Sequence, residues 1–186
     1  MNCELKVRLT DVNLEIVDIN GYKYNLHKME LGNLKDFKVL IPIFEDVQIG
    51  DCLSTTDWVI TRLGCCNDPV DLCVRIDKLT RESAEGFQLS PYLNGKVVGM
   101  FLSSEKCYLR TVGPDMKPFY MATIKCKDSY KNSYAMLLVA FGNQAKKLST
   151  VKKQSVIECE VTVKHRLNEE GYEFAVVSVE VIKEVK

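Results

Sequence analysis

Histidine occurs twice in this chain, at His27 and His165, and tryptophan once, at Trp58. The eight cysteines, Cys3, Cys52, Cys65, Cys66, Cys73, Cys107, Cys126 and Cys159, include no Cys-x-x-Cys pair. A zinc site is built from such pairs or from histidines beside them, so no metal motif is present. There is no glycine-rich phosphate loop, and no Ser-His-Asp or Cys-His arrangement stands out by spacing. No enzyme, no cofactor and no small-molecule substrate is therefore expected. No apolar run approaches the roughly 18 residues that span a membrane, so no membrane partner is expected either. The opening Met1-Asn2-Cys3-Glu4-Leu5-Lys6 lacks the basic-then-apolar layout of an export signal. A cytoplasmic location with reduced, mostly buried thiols follows as an expectation.

Helical periodicity is nearly absent as well. Residues 4–80 read as five strands: one long bent strand over 4–19, then 22–31, 37–44, 52–63 and 70–80. Asn20-Gly21 is a two-residue hairpin signal and Gly32-Asn33 a second turn. Residues 81–91, polar, with Gly86 and ending on Pro91, read as a linker. Asn94-Gly95 opens a second series, with strands over 96–102 (extended toward 112), 119–127, 134–141, 155–163 and 172–182, and a turn at Gly113-Pro114-Asp115.

One stretch breaks the pattern. The apolar run 134–141 ends at Gly142, and in residues 143–153 Ala145, Leu148 and Val151 recur at helical spacing among four lysines. Then Ile157, Cys159, Val161 and Val163 alternate with Val156, Glu158, Glu160 and Thr162. A single helix between two strands of an otherwise all-β chain fits the OB-fold, a five-stranded Greek-key barrel. The first series matches the second. Val47-Gln48-Ile49-Gly50-Asp51 stands where Val151-Lys152-Lys153-Gln154-Ser155 stands, and residues 70–82 stand where 172–184 stand. In the first copy the helix is missing, with only Glu45-Asp46 in its place. The expected fold class is all-β with one short helix: two tandem OB-fold-like five-stranded barrels. Their expected bounds are 1–82 for a divergent acidic copy and 93–186 for the second, with a linker over 83–92.

The second copy also resembles the bacterial single-stranded-DNA-binding proteins. Phe141-Gly142, Ala145, Lys152-Lys153-Gln154-Ser155 and Val156-Ile157-Glu158 follow that family's order of strand, helix, basic turn and strand. Tyr120-Met121-Ala122-Thr123 resembles its second strand, and Asn168-Glu169-Glu170-Gly171 its last hairpin turn. The resemblance covers residues 93–182. It implies non-enzymatic, sequence-tolerant binding of single-stranded DNA, with RNA as the other nucleic-acid candidate, in replication, recombination or repair. It also implies a homodimer, because classical members gather four barrels and a two-barrel chain reaches four as a pair. The family's tryptophan positions fall here on Ala135 and Arg166, and its acidic, Phe-ending tail is not matched by Glu184-Val185-Lys186. The alternative is an OB-fold interaction or assembly module, such as a primosome-like, phage or plasmid accessory protein, that touches no nucleic acid.

Zero net charge hides an asymmetry. Residues 1–92 carry 10 Lys and Arg against 15 Asp and Glu, and residues 93–186 carry 15 against 10. The positive half is the one that resembles a nucleic-acid binder. Single strands are held by cations along the phosphates and aromatic faces under the bases. In strand 119–127, Phe119, Met121, Thr123, Lys125 and Lys127 share one face, and Tyr120, Ala122, Ile124 and Cys126 the core face. The nucleic-acid-binding candidates are Phe119, Lys125 and Lys127, the loop residues Tyr130, Lys131 and Tyr134, Phe141 at the family's Phe-Gly, and Lys164, Arg166 and Tyr172 of the last hairpin. Trp58, among Asp and Thr residues, reads as a core or interface side chain. The acidic half reads as a protein-contact module or a structural partner.

Overall fold

Asn20-Gly21 does close a two-residue hairpin, both residues holding positive φ (51° and 92°) between the paired Ile19 and Tyr22. Only such a mirror-image turn matches the right-handed twist of the flanking strands. The structure, a computed structural model, describes residues 3–13, 15–63, 72–102, 109–127, 133–165 and 172–184. These form two compact units, one over Met1–Gly95 and the other over Lys96–Lys127 and Ser133–Lys186.

The first unit holds β1 (Leu5–Asp11), β2 (Ile16–Ile19), β3 (Tyr22–Leu31), β4 (Leu34–Pro42), β5 (Cys52–Arg62) and β6 (Leu72–Glu82). The second sheet holds β7 (Leu93–Leu102), β8 (Arg110–Val112), β9 (Lys117–Lys127), β10 (Ser133–Phe141), β11 (Val156–His165) and β12 (Tyr172–Lys183), with α1 (Gly142–Ser149) between β10 and β11. The strand orders are β1-β5-β6-β4-β3-β2 and β10-β12-β11-β7-β9-β8, closed by β1–β3 and β10–β9 pairings. Each pairing in one sheet has its counterpart in the other, including the one parallel contact, β4 with β6 and β10 with β12. Each sheet is an OB-like barrel of five strands with a short sixth strand appended, and the chain is a tandem pair of them.

The repeat extends to single hydrogen bonds. Gly50 and Asp51 exchange backbone bonds with Leu9, at 2.9 and 3.0 Å; Gln154 and Ser155 exchange the same two with Phe101, at 2.9 and 2.8 Å. Both turns close i to i+3, Asp51 onto Gln48 and Ser155 onto Lys152. Both place a left-handed residue third, Gly50 at φ 91° and Gln154 at φ 69°.

Alternation builds both cores. Tyr120, Ala122, Ile124 and Cys126 point inward from β9, and Ile157, Cys159, Val161 and Val163 from β11. In α1, Ala145 and Leu148 are buried, and the helix packs on β9, β10 and β12. Gly142 enters this helix at φ 58°, a left-handed conformation that glycine adopts without a Cβ penalty. Trp58 is buried, its indole N–H donating to the Cys3 carbonyl at 2.9 Å.

Three expectations are corrected. Residues 4–19 are not one continuous strand: β1 ends at Asp11, and the chain resumes as β2 further along the same edge of β3, opposite Tyr22–Asn25, while β4 holds the other edge. The strand expected from residue 96 begins earlier, at Leu93, and takes in Asn94-Gly95. Strict alternation fails in β12, where Phe174 and Val179 both point inward. A bulge opposite Glu160 and Val161 inserts Val177 and flips the face.

Candidate nucleic-acid interface

The outward face of β9 and β10 is set by the register of three strands. The turn over residues 113–116 folds β8 back on β9, so Arg110 stands opposite Phe119. Its guanidinium carbon lies 4.7 Å from the Phe119 ring centroid. On the other side Phe119 stands opposite Phe141, with ring centroids 5.2 Å apart at 58°. Phe141 is 46% exposed. The three side chains form a cation–aromatic–aromatic row across three strands, an arrangement that offers a ring face and a fixed positive charge side by side.

Along the same face of β9 run Met121, Thr123, Lys125 and Lys127. On the β10 side Lys125 pairs across with Ala135 and Lys127 with Ser133, both small, while Met100 of β7 stands on the other side of Lys125. From Phe119 to Lys125 the strand advances about 20 Å. Aromatic surface at one end and ammonium groups at the other therefore share one strand face. Lys117 lies on this face as well, held by Asp115 at 3.5 Å.

Of the sequence candidates, Phe119, Phe141, Lys125 and Lys127 come together here. Lys164 and Tyr172 sit on the β11–β12 hairpin, where Lys164 faces Glu173 and the Tyr172 ring lies 5.0 Å from His165. Tyr134 points the other way: it is 8% exposed, on the barrel-facing side of β10 opposite Cys126. A ring this sheltered offers no open face for a base to stack on. Tyr130, Lys131 and Arg166 lie outside the described residues. Arg110 was missed in the sequence, where residues 103–112 read as an extension of the preceding strand. Counting back from the Gly113 turn would have set it against Phe119.

The interior behind this face is inert. Burial pushes the Cys126 and Cys159 thiols up to about 12, and a hydrogen bond from Tyr134 offsets only part of this at Cys126. Among the described residues no cluster of three or more His, Cys, Asp or Glu forms a metal site, and no helix is long and apolar enough to cross a membrane.

No protein-family model matches the sequence, and no curated protein does. Among solved structures, the chain is similar to the wild-type single-stranded DNA binding protein from Thermus aquaticus, with a TM-score of 0.66 at 8% identity over 100% of this chain and 95% of that one. A deletion mutant of the same protein gives 0.64 at 9% identity, over 100% of this chain and 96% of that one. At such identity the likeness establishes the fold alone, an OB-type barrel in each half of the chain.

Proposed function

We propose that the second barrel binds single-stranded DNA without marked sequence preference. The observation that carries this is the Arg110–Phe119–Phe141 row continuing into Lys125 and Lys127 on one outward strand face. Bases stack on the rings because every base has a π face, and phosphates follow the cations. The full-length likeness in fold to the Thermus aquaticus protein supports the same reading. The role is non-catalytic, in replication, recombination or repair, by a cytoplasmic protein acting as a homodimer. RNA is the competing ligand, and a competition titration of oligo(dT) against oligo(U) separates the two.

The test is fluorescence anisotropy of labelled oligo(dT) over a salt series. Each neutralised phosphate of a single strand contributes about −0.7 to the slope of log K against log[salt]. Replacing Arg110, Lys125 and Lys127 together by Ala therefore flattens the slope by about 2. No binding at low salt by the folded protein overturns the reading and leaves the interaction-module alternative. An unchanged slope in the triple variant moves the contacts elsewhere.

A further inference from the structure

The two barrels are copies, yet the face that carries the interface differs between them. The parallel pairs Leu40–Arg75 and Val139–Ala175 align the copies. Tyr24 faces Pro42 as Phe119 faces Phe141, and Val17 faces Tyr24 as Arg110 faces Phe119. The first barrel thus keeps a ring at this place, but a buried one, Tyr24 at 3% exposure, and has valine where the second has its arginine.

What the first barrel has instead is a pocket of about 470 Å³, walled by Tyr22, Tyr24, Pro42, Ile43 and Phe44, with Lys23 and Asp77 also lining it. A turn closed by the Glu45 N–H on the Pro42 carbonyl, and the Ile43 N–H on the Lys23 carbonyl, hold Ile43 and Phe44 at its rim. Phe44 is 78% exposed, Tyr22 55% and Ile43 43%. Three large apolar side chains at one opening are more than a solvated surface explains.

The charges around this opening are the reverse of the second barrel's. Glu45 and Asp46 follow Phe44 directly, and Asp18 stands across from Lys23 in the β2–β3 register. Asp77 is engaged by Arg75, a fully buried side chain whose Nε lies 3.1 Å from Oδ1, and by the Tyr24 hydroxyl at 2.8 Å. Lys23 stands opposite Asp18, Arg75 is sealed beneath Asp77, and Arg81, which donates to the Asp46 carbonyl, lies 3.9 Å from the Asp51 carboxylate, so the carboxylates of Glu45 and Asp46 remain in excess. A phosphodiester chain would meet net negative charge here.

We propose that this pocket is a docking site for a segment of a partner protein, a large apolar side chain flanked by Lys or Arg. The apolar side chain enters between Tyr22 and Phe44, and its basic neighbours lie over Glu45 and Asp46. The site is separate from the nucleic-acid face and independent of it.

The experiment uses the full chain and three fluorescein-labelled hexapeptides: one with Leu-Trp at its centre between Lys and Arg residues, one with Ser-Ser at the centre, and one with Glu in place of the basic residues. The first is expected to bind, with each of the other two about tenfold weaker or more. Phe44→Ala removes a largely exposed ring, keeps the fold as judged by its melting curve, weakens the first peptide about tenfold, and leaves oligo(dT) affinity unchanged. Conversely, the Arg110, Lys125 and Lys127 triple variant keeps the peptide and weakens oligo(dT). The proposal is overturned if the first peptide does not bind, if the Ser-centred peptide binds equally, or if Phe44→Ala leaves the peptide untouched. It is overturned too if Phe44→Ala lowers oligo(dT) affinity, which makes nucleic acid the occupant, or if it dissociates an oligomer, which makes the occupant a second copy.

Discussion

Replacing Phe141 by Ala separates stacking from charge. Phe141 is 46% exposed and touches Phe119 with centroids 5.2 Å apart, so its ring is presented outward rather than packed in the core. Loss of the ring pair costs the fold about 0.5–1.5 kcal/mol. For a chain of 186 residues that lowers the melting temperature by about 2–4 °C per kcal/mol, small enough to leave the protein folded at 25 °C. Loss of a stacked base costs binding about 1–3 kcal/mol, roughly five- to 150-fold in Kd. The slope of log K against log[salt] stays put, because no cation is removed. Phe119→Ala behaves alike and also frees Arg110 from its ring. If one base spans both rings, the double variant loses less than the two single losses combined. Anisotropy titrations of oligo(dT) with the four proteins of this cycle, at several salt concentrations, measure all of it. A Phe141→Ala protein that binds like the parent at every salt concentration refutes the stacking argument outright.

The repeat itself predicts a stabilising change. Gln154 holds φ 69° where the first barrel has Gly50, and a left-handed L-residue costs about 1–2 kcal/mol, so Gln154→Gly gains about 0.5–1 kcal/mol after the glycine's greater unfolded freedom is subtracted. A denaturant midpoint that falls instead counts against it. His27 is buried, its Nδ1 accepting the Asn13 N–H at 3.1 Å, and burial lowers its pKa against the opposing charge of Asp11. The unfolded chain then takes a proton first as pH falls below about 6.5, so stability is complete above that pH and declines below it, by at most about 1.4 kcal/mol per pH unit. Comparing pH-dependent denaturation of the parent and His27→Asn isolates this slope, which the variant loses. Cys126 and Cys159, with thiols pushed up to about 12, are about one part in ten thousand thiolate at pH 8. Iodoacetamide followed by mass spectrometry should find them unmodified under native conditions while exposed Cys3 reacts; equal rates would contradict their burial.

Most of the architecture was readable because barrel strands announce themselves by period-two alternation. The outward set Phe119, Met121, Thr123, Lys125 and Lys127 was separable from the inward set by polarity alone, and burial in β9 follows that division. The turn around Gly50 and its counterpart around Gln154 were readable as a repeat although one is glycine and the other is not. What escaped was what a linear pattern does not encode. The Val177 bulge adds one residue to β12 and inverts the face from there on, so Phe174 and Val179, an odd number of residues apart, are both buried. Tyr134 looked like a loop aromatic at a strand start, but its parity with Met136 and Leu138 carries it inward. Arg110 stands nine residues from its partner ring, and the fold-back of β8 on β9 that joins them is marked in the sequence by the Gly113 turn alone. The first barrel's pocket depends on where the turn after Pro42 lands beside the Gly21 hairpin, a long-range juxtaposition that no local signal contains.

Closure of each sheet through β1–β3 and β10–β9 also decides how this molecule can meet others. In the strand orders, the strands with a single neighbour are β2 and β8, four and three residues long. An incoming strand would find only this short ladder to extend on either of them. At these two strands, recognition falls to side chains standing on the barrel wall rather than to an added strand.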